Sequence, residues 1–266
     1  MGGIYAVTGI LLGEWGFLDN LNDTSGNGHT ATANYTPVYV NGPHSGSRGV
    51  TFTADGQTIT YGRTGLEPVA SAGGICMMAW VKLSASSTGY LGVVHKHRDP
   101  SSLSTRAGCD IIGNKFRPFA RWRDQLAFAD GIGPDLNTNT WHHIAVVDAD
   151  DRYEWYVDGV SVQSASRTGT GSVTWEAYPW FSGFTADMHS SSLLSISGVR
   201  IFSGSLSSTE VNTWKDTPIT LAQSGSVVVG GVKKAVSSKS VIIGGVKKTV
   251  SGAYVIVGGV KKPANL

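Results

Sequence analysis

The chain has 266 residues, 41% of them apolar, with eight Trp, nine Tyr and eight Phe, which supplies a sizeable buried core and excludes an intrinsically disordered chain. Its formal charge of +2 hides a division: residues 224–266 hold seven Lys and no acid, leaving 14 basic and 19 acidic side chains, a net of −5, in residues 1–223. The two parts therefore face different electrostatic partners, or each other. Cys76 and Cys109 lack any CxxC or Cys/His spacing, which excludes a disulfide framework and the common zinc sites; both read as buried free thiols.

In chain order, the first apolar stretch, MGGIYAVTGILLGEW, has no basic residue ahead of it and is too short and glycine-broken to span a bilayer. Neither a secretory signal nor membrane insertion is expected, and the chain reads as one made in a cytoplasm. Thirty-five Gly and frequent Ser, Thr and Asn clusters, without a sustained 3.6-residue apolar rhythm, predict many strands. In ICMMAWVKL, residues 75–83, alternate positions are apolar on both faces, which places this strand in the middle of a packed sheet. WHHIAVVDADDRYEWYVDGVSV, residues 141–162, reads as a meander: strand to Val147, turn over Asp148–Arg152, strand to Val157, an Asp-Gly turn at Asp158-Gly159, and a third strand. Residues 193–214 read as a strand closing on Phe202, a Gly turn, and a short helix from about Ser207, where Ser-Ser-Thr-Glu forms a capping box. Asp216-Thr217-Pro218 is the predicted linker.

The chain ends on one phrase written three times at intervals of 14 residues: Val227, Val241 and Val255 recur, as do three Gly-Gly and three Lys-Lys pairs. An apolar β-branched run meets Gly-Gly, where a tight turn costs least, and then resumes as Val-Lys-Lys, so each unit predicts a small hairpin or bent strand pair. Such a unit cannot bury enough surface alone. Val227, Val229, Val241, Ile243, Val255 and Val257 are the candidate assembly residues. They would serve a trimeric intertwined fibre element, docking on a larger assembly, or an anionic-surface tail. No nucleic-acid partner is expected, because single-strand binders interleave aromatics with their basic residues and this tail does not.

Four segments in this order resemble the laminin-G-like and concanavalin-A-like jelly-roll family, in its bacterial and viral branch. They are EWGFLDNLNDTSGNGHTATA at 14–33, GGICMMAWVKL at 73–83, WHHIAVV with YEWYVDGV, and ISGVRIFSGSLSSTEV at 196–211. The resemblance covers about residues 15–215. It implies an all-β antiparallel jelly-roll sandwich over 1–218, followed by the β-repeat element of 224–266, and a binding role. Relatives of this kind hold calcium through an Asp-x-Ser-Gly-Asn-Gly loop and an acid from the closing strand. Asp23 and Asn27 match the loop, but Ser197-Gly198-Val199 stands where the family has Asp-Asp-Val, so carboxylates are missing. The expectation is no cofactor, with calcium at Asp23 and Asn27 as the alternative.

No pattern of spaced carboxylates on one strand suggests a glycosidase, and Asp148, Asp150 and Asp151 are placed in a turn. His142 and His143 are adjacent on a strand, so they point to opposite faces and cannot chelate one ion together. Gly-Asn-Gly at 26–28 lacks the strand-to-helix context of a phosphate loop. Ligand-binding candidates are instead aromatics and cations of three segments: Arg121, Trp122 and Arg123 in KFRPFARWRDQ, Trp175, Tyr178 and Trp180 in WEAYPWF, and His95 and Arg98 in HKHRD. The plain alternative for each is sandwich packing and rim.

A jelly-roll binding domain followed by short assembly-type β repeats is similar to laminin-G-like minor tail or fibre proteins of bacteriophages of actinobacteria. The resemblance implies a non-enzymatic virion protein on the particle surface that binds host-surface glycans or neighbouring virion proteins. A capsid decoration protein and a polysaccharide-acting enzyme are the alternatives.

Overall fold

The computed structural model describes residues 9–62, 74–85, 90–98, 106–112, 114–122, 125–128, 133–149, 152–166, 181–189 and 194–220, and six strands within 225–263. The chain divides into two compact units, Met1–Thr220 and Leu221–Leu266.

The first unit holds β1 (Ile10–Trp15), β2 (Thr32–Ala33), β3 (Val38–Asn41), β4 (Arg48–Phe52) and β5 (Thr58–Gly62). These are followed by β6 (Gly74–Leu83), β7 (Tyr90–Arg98), β8 (Arg106–Ile112), β9 (Lys115–Trp122) and β10 (Gln125–Phe128). The remainder are β11 (Trp141–Ala149), β12 (Arg152–Val157), β13 (Val160–Ser166), β14 (Phe181–His189), β15 (Leu194–Ser203) and the helix α1 (Ser208–Lys215). One antiparallel sheet runs β13-β12-β11-β6-β15-β4-β3, with β1 also on β15; the other runs β10-β9-β8-β7-β14-β5-β2. The all-β, antiparallel jelly-roll sandwich is thus present, with one short helix.

The two sheets share one core. Trp15 and Tyr61, from opposite sheets, lie 4.6 Å apart between ring centroids, among Phe17, Phe52, Ile59, Ile111, Phe116, Ile144 and Trp155. Full burial of side chains of this size contributes about 1.5–3 kcal/mol each. β6 is buried on both faces, as its doubly apolar alternation predicts: Ile75, Met77, Ala79 and Val81 enter the inter-sheet core. Cys76, which is in no disulfide, and Met78 turn to a second cluster with Ala145, Tyr156, Phe202, Leu206 and Val211 of α1. The helix therefore covers the outer face of the eight-stranded sheet.

The meander and the helix cap form as predicted, with two differences. β11 continues to Ala149, so Asp148 pairs in register with Ile75 and Tyr153 rather than sitting in the turn; Asp150 and Asp151 lie outside the described residues. Asp158 and Gly159 have φ of 52° and 82°, the geometry of the primed turns that match strand twist. Ser207 caps α1 and shares a capping box with Glu210. The second difference concerns the predicted linker. Asp216 is the helix C-cap, the Thr217 carbonyl accepts from Arg200 at 2.7 Å, and Thr220 bridges Ser47, so this segment is bound to the sandwich. Among the described residues no helix is long and apolar enough to cross a membrane.

In the second unit, β16 (Gly225–Val229) pairs with β17 (Val232–Val236), β18 (Ser240–Ile243) with β19 (Val246–Thr249), and β20 (Tyr254–Val257) with β21 (Val260–Pro263). Val229 pairs with Val232, Ile243 with Val246 and Val257 with Val260, so each repeat is a hairpin whose innermost pair flanks Gly-Gly in the sequence. One register step further out along each arm stand valine or isoleucine and lysine: Val228 opposite Lys233, Ile242 opposite Lys247, Ile256 opposite Lys261.

Candidate functional site

The calcium-type loop is a clamp on the free edge of β1. Asp23 Oδ1 accepts from the Glu14 and Ser25 backbone N–H groups at 2.9 and 2.8 Å, and Oδ2 from Ser25 Oγ and the His29 N–H at 2.8 and 3.0 Å. Asn27 Nδ2 donates to the Leu11 and Leu12 carbonyls, both at 2.9 Å, where a register shift interrupts the pairing of β1 with β15. The Thr24 N–H donates to the Glu14 carbonyl at 2.7 Å. Burial pushes the Asp23 carboxyl up, but bonds from Ser25, Glu14 and His29 outweigh it and hold the group below the usual carboxylate value. Four donors on two oxygens use the lone pairs an ion would need, and Asn27 aims nitrogen, not oxygen, at its neighbours. Asp23 and Asn27 in this arrangement do not fit a calcium site; they supply the pairing that an edge strand lacks. Among the described residues no group of three or more His, Cys, Asp or Glu could hold a metal ion.

The His-His pair is divided between two structural tasks. His142 Nε2 accepts from the Asn137 N–H at 3.1 Å, so the ring's proton sits on Nδ1, which donates to Asp158 Oδ2 at 2.8 Å. Asp158 Oδ1 accepts the His143 N–H at 2.8 Å. His143 itself is buried, edge-on to Trp80 at 5.3 Å, with Nδ1 unpartnered. Burial, with Arg200 and Lys215 nearby, pulls its pKa down to about 3, so it is neutral.

The ligand-binding candidates converge by register on one end of the seven-stranded sheet. His95 pairs with Gly108, and Gly108 with Phe119; Arg106 pairs with Arg121. Arg98 is opposite Phe181, the first residue of β14, and Trp122 is opposite Gln125. His95 and Arg98 thus belong to β7, and Arg121 and Trp122 to β9, at strand ends rather than in loops. Arg123, which follows Trp122, and Trp175, Tyr178 and Trp180, which precede Phe181, lie outside the described residues. Arg106 was missed by sequence reasoning: the lone Arg that opens RAGCDII carries no signal until the register sets it opposite Arg121.

A family model described as the concanavalin A-like lectin/glucanases superfamily matches residues 55–212. A search of curated proteins finds no match. Among solved structures, the chain is similar to the botulinum neurotoxin serotype D binding domain, with a TM-score of 0.57 at 13% identity over 79% of this chain and 52% of that one. It is similar to the binding domain of Paraclostridial Mosquitocidal Protein 1, with a TM-score of 0.55 at 12% identity over 76% and 51%. Domain 4 of the Geobacillus stearothermophilus extracellular arabinanase AbnA, solved with arabinotriose, gives 0.52 at 14% identity over 77% and 98%. The chain spans about half the length of the two toxin binding domains it matches. At such identities the likeness shows the fold.

Proposed function

The chain belongs to the concanavalin A-like lectin/glucanases superfamily, and on that premise we propose that its sandwich is a non-enzymatic head that binds carbohydrate on a host cell surface. The observation that carries this reading is the register of β7, β8 and β9, which brings the strand ends holding Arg98, Arg106 and Trp122 to the same end of one sheet. Planar cations and aromatics are the residue types that sugar recognition uses: forked hydrogen bonds to hydroxyls and a flat apolar surface for stacking. The arabinanase domain bound to arabinotriose supports the reading, as a sugar complex of a similar fold.

The three C-terminal hairpins give the head its setting. An isolated two-stranded hairpin is marginal in water, and a run of three with one register invites burial against equivalent hairpins of other copies. The protein is then a virion structural component, a minor tail or fibre protein, trimerised or anchored among other virion proteins by Val227, Val229, Val241, Ile243, Val255 and Val257. The lysines along each hairpin guard its edges against unwanted pairing.

A glycan array probed with the full chain tests the head, and at least one cell-surface glycan is expected above background, lost in Trp122→Ala. An empty array for a folded protein overturns the carbohydrate reading and favours a decoration role among virion proteins. Sedimentation of the full chain beside one ending at Thr220 tests the tail. Trimer against monomer is expected, and two monomers at micromolar concentration refute self-trimerisation.

A further inference from the structure

We propose that the rim between the turn at residues 16–20 and the β3–β4 hairpin is a second sugar site, which takes neighbouring hydroxyls of a neutral sugar ring through Asp19, Asn41 and Tyr39. It shares no residue with the strand ends of the seven-stranded sheet and does not depend on them. Asn41 and Arg48 are register partners at the end of β3 and the start of β4, and the Arg48 side chain ties that end to the turn. Its Nε and Nη2 donate to Asp19 Oδ1 at 3.0 and 2.8 Å, and its Nη1 donates to Asn41 Oδ1 at 2.8 Å. Asp19 Oδ2 and Asn41 Nδ2 are left as an acceptor and a donor with no hydrogen-bond partner among the described residues, both oriented by one guanidinium. The Asp19 side chain is 53% exposed, and its charge is matched by Arg48, so the site suits a neutral ligand.

The turn that carries Asp19 is held in place. The Asp19 N–H donates to the Phe17 carbonyl at 2.8 Å, Asn20 Nδ2 to the Leu18 carbonyl at 2.9 Å, and the Asn22 N–H to Asn20 Oδ1 at 2.9 Å. Phe17 and Asp19 both have left-handed backbone, with φ of 51° and 58°. Burial of Phe17 in the core offsets the first; an exposed ion pair returns little, so stability alone does not account for the second. Two tyrosine hydroxyls stand beside the carboxylate. Tyr39 lies two positions before Asn41, on the same face of β3. Burial and the Asp19 carboxylate hold its phenol above the ordinary range, with no hydrogen bond between the two groups. A ligand hydroxyl accepting from Tyr39 and donating to Asp19 completes that arrangement. Next to Tyr39, the Tyr35 hydroxyl is buried and has no partner, where such a group ordinarily has one. Each sugar hydroxyl both donates and accepts, and Tyr39, packed only in part against the core, supplies the aromatic for the C–H face of the ring.

The test uses the full chain with soluble mannan and dextran, each intact and after periodate cleavage and borohydride reduction, which open vicinal diols and leave the polymer neutral. At least one intact polymer is expected to bind, and its cleaved form at least about tenfold more weakly. Asp19→Asn is expected to weaken that binding at least about tenfold, because a hydrogen bond to a charged acceptor is lost. Its melting temperature should stay within about 4 °C of the wild type, the range of an exposed pair in a domain of this size. Tyr39→Phe, which removes one oxygen, is expected to weaken binding about threefold or more. Should Asp19→Asn unfold more than that, Tyr39→Phe decides, and unchanged binding there overturns the site. Equal binding of the intact and cleaved polymers overturns the part played by neighbouring hydroxyls. Binding lost in Trp122→Ala but kept in Asp19→Asn and Tyr39→Phe overturns this site and leaves the reading of the seven-stranded sheet standing. No binding of either intact polymer overturns this site, and with an empty glycan array it overturns both.

Discussion

Replacing Arg200 by Met should be among the most destabilising single changes in the sandwich. The Arg200 side chain is 3% exposed and each of its three guanidinium nitrogens donates: Nε to Glu14 Oε2, and the two terminal nitrogens to the Trp214 and Thr217 carbonyls, each at 2.7 Å. Its guanidinium also lies 5.1 Å from the centre of the Trp214 ring. One side chain thereby ties β15 to β1 and to the end of α1. Met fills similar volume but leaves the Glu14 carboxylate, 14% exposed, with only Thr24 Oγ1 at 2.8 Å among these partners, and it orphans two carbonyls. Breaking a buried ion pair from one side costs about 3–5 kcal/mol, and for a domain of this size each kcal/mol moves the midpoint by about 2–4 °C. Thermal unfolding followed by tryptophan fluorescence should therefore drop by roughly 6–20 °C. Burial pulls the Arg200 pKa down, with Glu14 opposing it, so the pair is held at a desolvation cost. Glu14→Leu added to Arg200→Met should then recover part of the loss, leaving the deficit of the two carbonyls. A single-variant loss below about 1 kcal/mol, within the range of exposed pairs, would refute the clamp.

Ser207→Ala removes the α1 N-cap and half of its capping box, and urea titration should register a loss of about 1 kcal/mol; no change would mean that burial of Val211 alone holds the helix. Asp23→Ala strips four donors of their acceptor and should cost about 2–3 kcal/mol, whereas EDTA should leave the wild-type melting temperature where it is. A fall on adding EDTA, reversed by calcium, would show an ion holding the loop. His143 is neutral when folded, with its pKa pulled to about 3 from an ordinary 6.5. Below pH 6.5 the unfolded chain takes up a proton that the folded chain refuses, so stability is full above 6.5 and falls toward pH 3 by up to about 1.4 kcal/mol per unit. Measured between pH 6.5 and 5, this slope should flatten in His143→Gln; an unchanged slope would assign it to another group.

What was legible in the sequence was what local periodicity and turn chemistry dictate. Alternation that is apolar on both faces of residues 75–83 could mean only a central strand, because no one-sided sheet buries Cys76 and Met78 as well as Ile75 and Met77. Asp158-Gly159 and Ser-Ser-Thr-Glu declared a turn and a helix start because each satisfies its own backbone within a few residues. What was not legible depends on contacts distant in sequence. Arg200 lies 186 residues from Glu14, and nothing local distinguishes it from an exposed strand arginine. Asp216-Thr217-Pro218 has a linker's composition, yet the carbonyl that Arg200 takes up and the bridge to Ser47 bind it to the domain. Asp23 and Asn27 matched a metal loop in residue type, and residue type alone cannot tell an oxygen offered to an ion from one accepting the N–H groups of β1.

The candidate site shows the same limit from the other side. Arg98 and Arg121 were each visible as cations beside aromatics, but they are 23 positions apart in the sequence and come together only through β8, whose own contribution, Arg106, looked ordinary. A hairpin register is worth one residue in either direction: slipped by one, Arg121 would stand opposite Ala107 or Thr105 and the like-charge pair would vanish. The charge of the site is therefore a property of the ladder and not of any one segment.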